Sequence, residues 1–262
     1  MTVNTTKTGV ARIKAAESLL LTNCSAINPV KHTGACITNI IKSIEKNFSR
    51  PIYRPPGGNP AYCAATSIMI DNNAFPSMNT IGPFTNCRNC VSSLQMIAHV
   101  KKLGIRFDNK PAPGCVGFTK SSVANSGFHT VALIWQIEGK NVVTIEGNSN
   151  GYHLDKDGCY IDVKNGVVTK KRPISSFSGF AHVEEWQDSG EIVSYDILNN
   201  SLALSGLGKG EYCLTALPLQ TEQGAEDTPD DDIWLKFNKN LNIIVPIAVG
   251  TVILGIIWWR MR

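Results

Sequence analysis

Apolar residues recur at Ile37, Ile40, Ile41, Ile44 and Phe48, in steps of 3, 1, 3 and 4. This spacing lines one face of a helix. Pro51 ends it, because proline lacks the N–H that a continuing helix needs. Val10, Ile13, Leu20 and Leu21 mark a weaker helical stripe from Val10 to Leu21. Val91, Leu94, Ile97, Ala98 and Val100 mark another, which stops at Gly104. Between them, Ala61 to Asp71 is built of small residues and good helix formers, and the Ile37 helix is expected to pack against it.

Beyond Gly104 the period changes from helical to alternating. Ile105 to Phe107 and Cys115 to Phe118 read as short strands. His129 to Ile137 reads as a longer one, with Val131, Leu133, Trp135 and Ile137 on one face. Glu138-Gly139-Lys140-Asn141 is a turn, and Asn141 to Glu146 pairs back as a hairpin. Asn165-Gly166 predicts a second hairpin between Cys159–Val163 and Val167–Arg172. Gly179 to Trp186 closes the set. Helices first and an antiparallel sheet after them indicate an α+β fold, with N-terminal helices packed on the sheet.

The C-terminal pattern is of another kind. Asp188 to Asp232 loses periodicity and ends in a polar, acidic stretch suited to a flexible linker. Leu241 to Trp259 is then 19 residues without a charge. At about 1.5 Å per residue it reaches roughly 28 Å, the thickness of a bilayer's hydrocarbon core. Trp258 and Trp259 suit the interface, with Arg260 and Arg262 beyond it. The expectation is a single-pass membrane protein with a C-terminal anchor. The expected segments are a helical one at 1–48, a folded one at 49–187, an irregular region and linker at 188–240, the span at 241–259 and a basic tail at 260–262.

A net charge of +4 over 262 residues suggests no dedicated nucleic-acid surface. The eight cysteines have irregular spacing, so a disulfide scaffold is not implied. Cys87-Arg88-Asn89-Cys90 is a single C-x-x-C. A zinc site would need a second pair, and a redox role would need a thioredoxin-like context. Loop cysteines or one local disulfide suit it better. No metal or other cofactor is expected.

Pro55-Pro56-Gly57-Gly58 brings the chain to Asn59 as a loop. Asn59 is placed to cap the helix, with Pro60 at its first position. Cys63 then falls in the first turn, where the helix N–H groups favour thiolate over thiol. A histidine opens the long strand at His129, and the hairpin partner ends in Glu146-Gly147-Asn148. Cysteine, histidine and an orienting carboxylate or amide are the parts of a thiol nucleophile with its base.

These pieces resemble the CHAP family, papain-like cysteine amidohydrolases and peptidases that cut bacterial peptidoglycan. Tyr62-Cys63-Ala64-Ala65 is similar to the family's aromatic-Cys-Ala-Ala helix start, and Phe128-His129-Thr130-Val131-Ala132 to its histidine strand. Ile145-Glu146-Gly147-Asn148 is similar to its Glu-Gly-Asn element. Pro113-Gly114-Cys115-Val116 is similar to its Pro-x-Gly-Asp strand, with Cys115 where the family has Asp. The resemblance covers roughly Ser49 to Trp186. It implies a papain-like fold, Cys63 as nucleophile, His129 as base, Glu146 orienting the imidazole and Asn148 assisting. The Cys63 N–H would help form an oxyanion hole, with Asn59 and Tyr62 in support. Tyr53 to Tyr62 contains no Asp or Glu, so the calcium loop of some members is not expected.

The implied function is a membrane-anchored peptidoglycan amidase or endopeptidase. Its partners would be the cell wall and a lipid bilayer. With no N-terminal signal sequence in view, a bacteriophage particle that holds a membrane would bring such an enzyme to the wall. Two other functions fit the same residues. One is a cysteine protease acting on protein, and the other is a non-catalytic module on a membrane.

Overall fold

The computed structural model describes residues 2–22, 24–25, 33–45, 62–76, 82–85, 87, 90, 93–120, 131–154, 160–188 and 190–197. The chain divides into two compact units, Met1–Ala225 and Glu226–Arg262, and every described residue belongs to the first. Its elements are β1 (Thr2–Thr6), α1 (Lys7–Leu21), α2 (Ala35–Glu45), α3 (Cys63–Ala74), α4 (Ser93–Lys102), β2 (Phe107–Asp108), β3 (Val116–Thr119), β4 (Val131–Glu138), β5 (Asn141–Leu154), β6 (Tyr160–Pro173), β7 (Phe177–Ala181) and β8 (Ile192–Asp196). The fold mixes helices with antiparallel sheets. One sheet has the order β2-β7-β3-β4-β5-β6, and a smaller one pairs β1 with β8. Among the described residues no helix is long and apolar enough to cross a membrane. The span expected at Leu241 to Trp259 lies outside them.

Helix α1 is longer than its apolar stripe because Thr6 caps it. Thr6 Oγ1 accepts from the Gly9 N–H at 3.0 Å. Its buried face holds Ile13, Ala16, Leu19 and Leu20 together with the ions Arg12 and Glu17. A hydropathy stripe cannot register those two. Glu17 Oε1 accepts from Trp135 Nε1 at 2.9 Å, and Oε2 accepts from the Tyr195 hydroxyl at 2.7 Å. One carboxylate thereby joins α1 to β4 and β8. Arg12 pairs with Asp71 of α3, and both side chains are fully buried. Burial pulls the guanidinium down to about 10, against the raising pull of Glu184, so it stays charged at neutral pH. Arg12 Nε also donates to the Gly114 carbonyl at 3.1 Å. Gly114 has φ +90, and a Cβ there would press on the Gly9 backbone, so only glycine lets this turn pass under α1.

The six-stranded sheet is covered on both faces along its centre. Helices α1 and α3 pack on β4 and β5 from one side. On the other, Cys115, Ala132, Ile134, Val142, Phe177 and Phe180 form a buried cluster. Consecutive residues Ala132 to Trp135 are therefore all buried, and the expected one-sided alternation fails. A register shift between Ile134 and Gln136 displaces the later residues, and Ile137 is exposed rather than inward. In α4 the inward face is Ser93, Met96, Ile97 and Val100, while Leu94 and Ala98 are exposed.

Two further expectations are corrected. Asn165-Gly166 is not a hairpin turn: β6 runs through it as one strand, and the pair forms an irregularity opposite Ser149. Asn165 has φ 53, a left-handed backbone that here belongs to a bulge. Among the described residues two disulfides are present, Cys24–Cys36 and Cys87–Cys90, the second being the local bridge that the C-x-x-C suits. The first joins the chain just after α1 to α2 and had no signal in the cysteine spacing. Strands β1 and β8 were also unforeseen, since Thr2–Thr6 is polar and short.

His182 clamps the β2 edge. Its Nδ1 lies 2.7 Å from Glu184 Oε1 and its Nε2 2.9 Å from Asp108 Oδ1. Arg106 and Glu185 complete the cluster, Arg106 bridging Asp108 and Glu185. Burial pulls the imidazole pKa down, but the bonds to Glu184 and Asp108 outweigh it and leave it raised. Burial likewise raises Glu184. A raised histidine stabilises the fold fully below its unfolded value of about 6.5 and loses that contribution as pH climbs through the folded value. Unfolding midpoints should therefore fall as pH rises from about 6.5 into the alkaline range. His182→Gln should flatten that slope in denaturant titrations across pH. Asp108, held down by His182, acts oppositely and only at acid pH.

Arg12→Met should leave Asp71 buried and unpaired, lowering stability by about 3–5 kcal/mol. Arg12→Met/Asp71→Leu should recover more than half of that loss in urea unfolding. An unchanged deficit in the double variant would show that the pair itself is not the cause.

Candidate active site

Helix α3 begins at Cys63, with Tyr62 as its N-cap and no side-chain capping bond. The start lies three residues later than Asn59 capping would set it. Asn59 and Pro60 are outside the described residues. The first bond of the helix ladder is Thr66 N–H to the Tyr62 carbonyl at 2.8 Å, so the N–H groups of Cys63, Ala64 and Ala65 precede it. Cys63 is partly exposed and outside both disulfides. Ala64 and Ala65 behind it are buried, which leaves the sulfur at the surface end of a fixed helix.

Tyr62 fixes where that helix starts. Its ring is fully buried. Its hydroxyl donates to Asn165 Oδ1 at 2.8 Å and accepts from the Asn148 backbone N–H. Burial pushes the phenol well above its ordinary pKa, so it remains a neutral donor. Both asparagines have left-handed backbones, φ 58 at Asn148 and φ 53 at Asn165. Asparagine tolerates this conformation better than most residues. Two strand irregularities thus converge on one hydroxyl next to Cys63. Asn165 N–H also donates to Asn150 Oδ1 at 2.9 Å, tying the bulges together. Gly147 allows the approach: a Cβ there would collide with Thr66 of α3.

Gly147 faces α3, so Glu146 points from the opposite face of β5. Its fully buried carboxylate is held by four donors. Arg172 Nε and Thr144 Oγ1 reach Oε1, each at 2.6 Å, and Arg172 Nη2 and Ser149 Oγ reach Oε2 at 2.9 and 3.2 Å. Burial pushes this carboxyl up, but Arg172, Lys170 and Thr144 hold it down at about 2. Burial in turn pulls Lys170 down to about 8. Four donors fill a carboxylate's acceptor positions. Glu146 therefore braces β5 against β6. Asn148 is the member of the motif that the structure joins to Tyr62. Its Oδ1 is buried with no hydrogen-bond partner among the described residues.

His129 lies outside the described residues. Three other histidines are described. His99 bonds the Pro83 carbonyl and His182 bonds Asp108 and Glu184. His153 is buried, and its Nε2 has no hydrogen-bond partner among the described residues. Cys115 is fully buried in the apolar cluster and its thiol is raised by burial, so at this position the chain carries packing rather than a charge. Sequence reasoning missed Arg172 and Asn165. An Arg on the strand paired with Glu146 carried no local signal. Asn165 did carry one, but positive φ serves a bulge as well as a turn.

Tyr62→Phe keeps the ring and removes the hydroxyl. It should lower stability by about 1–3 kcal/mol, because the Asn148 N–H and Asn165 Oδ1 lose their buried partner. Thermal unfolding with intact far-ultraviolet dichroism would check it.

No protein-family model, curated protein or solved structure matches the chain.

Proposed function

We propose that the chain is a cysteine amidohydrolase acting on bacterial peptidoglycan, as its resemblance to the CHAP family implies. The observation that carries the reading is Cys63. It is the first residue of α3, partly exposed, and its neighbour Tyr62 is bonded to Asn148 of the Glu-Gly-Asn element. In the proposed reaction the Cys63 sulfur attacks an amide carbonyl of the wall peptide. His129 takes the thiol proton and passes it to the departing amine. The N–H groups ahead of the α3 ladder face the developing oxyanion. Water, activated by the same imidazole, then hydrolyses the thioester and restores the thiol.

Asn148 is assigned the orienting role, in place of Glu146. Its buried Oδ1 is an acceptor of the kind an imidazole N–H requires, whereas the Glu146 oxygens already hold four donors. Leu241 to Trp259 would hold the enzyme on a bilayer, whether that of a cell or of a phage particle.

Dye release from purified peptidoglycan by the full-length protein in detergent tests the reading. Cys63→Ala should abolish release, by at least about a thousandfold, with the fold intact. Asn148→Ala should lower turnover roughly a hundredfold while the protein stays folded, since a misplaced base loses its geometry. Glu146→Gln should chiefly lower stability. Release undiminished in Cys63→Ala would overturn the reading.

A non-catalytic membrane module is the second reading. The commitment of Glu146 to Arg172 favours it, because the family's triad would then be incomplete. Failure of Cys63 to react with a thiol-directed probe near neutral pH would select it.

A further inference from the structure

The loop anchored on α3 carries a second constellation of sulfur and nitrogen. Phe84 N–H donates to Asp71 Oδ2 at 2.8 Å, which fixes the loop to the helix. Cys87 N–H then donates to the Phe84 carbonyl at 3.0 Å, and Cys90 N–H to the Cys87 carbonyl at 3.4 Å. The two cysteines are thus held close together, with Cα atoms 5.4 Å apart and both side chains buried. The sequence offers no second C-x-x-C to complete a metal site. The fold supplies something else: His99 of α4, half-buried, whose ligand nitrogen lies within 4.8 Å of both sulfurs.

One ring nitrogen of the histidine is held by the backbone. Its Nε2 sits 2.8 Å from the Pro83 carbonyl oxygen. A carbonyl can only accept, so Nε2 carries the hydrogen and Nδ1 keeps the lone pair. Metal-binding histidines are held in this way, one ring nitrogen donating to a carbonyl while the other faces the ion. A tetrahedral zinc with bonds of about 2.3 Å to sulfur and 2.0–2.1 Å to nitrogen sets its donors roughly 3.5–3.8 Å apart. Three donors within 4.8 Å of one another lie close to that spacing.

We propose that Cys87, Cys90 and His99 form a three-donor site for Zn²⁺ once the Cys87–Cys90 bridge is reduced, with water as the fourth ligand. The disulfide of the present structure is the oxidised form of the same site. Opening it takes two electrons and two protons: two thiols supply both and become a disulfide, whereas a phosphine supplies the electrons, and water gives the two protons and the oxygen of the phosphine oxide. Zn²⁺ then displaces the two thiol protons as it binds. A thioredoxin-type redox role fits less well, because α4 begins at Ser93 and neither cysteine stands at its first turn. Two thiolates and an imidazole suit zinc over the hard, oxygen-seeking ions.

The test uses full-length protein in detergent, reduced with a phosphine and titrated with Zn²⁺ against a chromogenic chelator. Co²⁺ in place of zinc reports thiolate ligation by its visible absorption. One equivalent should bind, with a sulfur-to-cobalt charge-transfer band. Cys87→Ser/Cys90→Ser should abolish the band. His99→Ala keeps the C-x-x-C turn and should weaken zinc at least about tenfold. Cys24→Ser/Cys36→Ser should leave binding unchanged. The proposal is overturned if the reduced, folded protein takes up no metal. It is also overturned if binding survives loss of Cys87 and Cys90, or if His99→Ala leaves affinity unaltered.

Discussion

The buried pair of Arg12 and Asp71 is the interaction on which the rest of the fold depends. Neither side chain reaches solvent, so each charge is tolerable only because the other is there. Their remaining polar atoms recruit further backbone. Arg12 takes the Gly114 carbonyl ahead of β3, and Asp71 takes the Phe84 N–H of the loop that leads to Cys87. The Phe84 ring then stacks under the guanidinium, 5.9 Å from centroid to Cζ. Four segments far apart in the chain are held by one ion pair. Because Asp71 lies on α3, the same pair sets where the far end of the helix that begins at Cys63 sits.

The near end of that helix is set by a different device. Tyr62 buries a single hydroxyl between two left-handed asparagines on neighbouring strands. An ordinary strand ladder would carry its side chains past α3. The irregularities at Asn148 and Asn165 instead aim backbone and side-chain polar groups at the start of the helix. Strained strand geometry of this kind gathers where a side chain must be re-aimed. Rigidity at both ends of α3 is what the proposed role of Cys63 requires, since small misplacements of a reacting atom carry large rate penalties.

Glu146 and Asn148 show how one motif divides its labour. The pleat sends Glu146 to the face away from α3, where Arg172, Thr144 and Ser149 satisfy it completely. The bulge sends Asn148 toward Tyr62. Gly147 between them is required by contact, because Thr66 occupies the space of any side chain. A three-residue motif thus supplies a brace, a point of close approach and a polar contact at the helix start.

Much of this was legible in the chain. The apolar steps at Ile37, Ile40 and Ile41 placed α2, and the run from Ala61 to Asp71 placed Cys63 in the first turn of a helix. The turn at Gly139 and Lys140 placed the β4–β5 hairpin. All of these depend on neighbours within about four positions, which is the range over which backbone sterics and helical periodicity act. The tertiary structure alone decided the rest. It buried Arg12 and Glu17 on a helix face that hydropathy reads as weak, paired Cys24 with Cys36 and joined β1 to β8. It turned Glu146 away from Cys63 and set His99 beside Cys87 and Cys90. In each case the deciding term is a charge, a hydrogen bond or a sulfur whose partner is distant in sequence. Burying a polar group is favourable only once that partner has been brought to it.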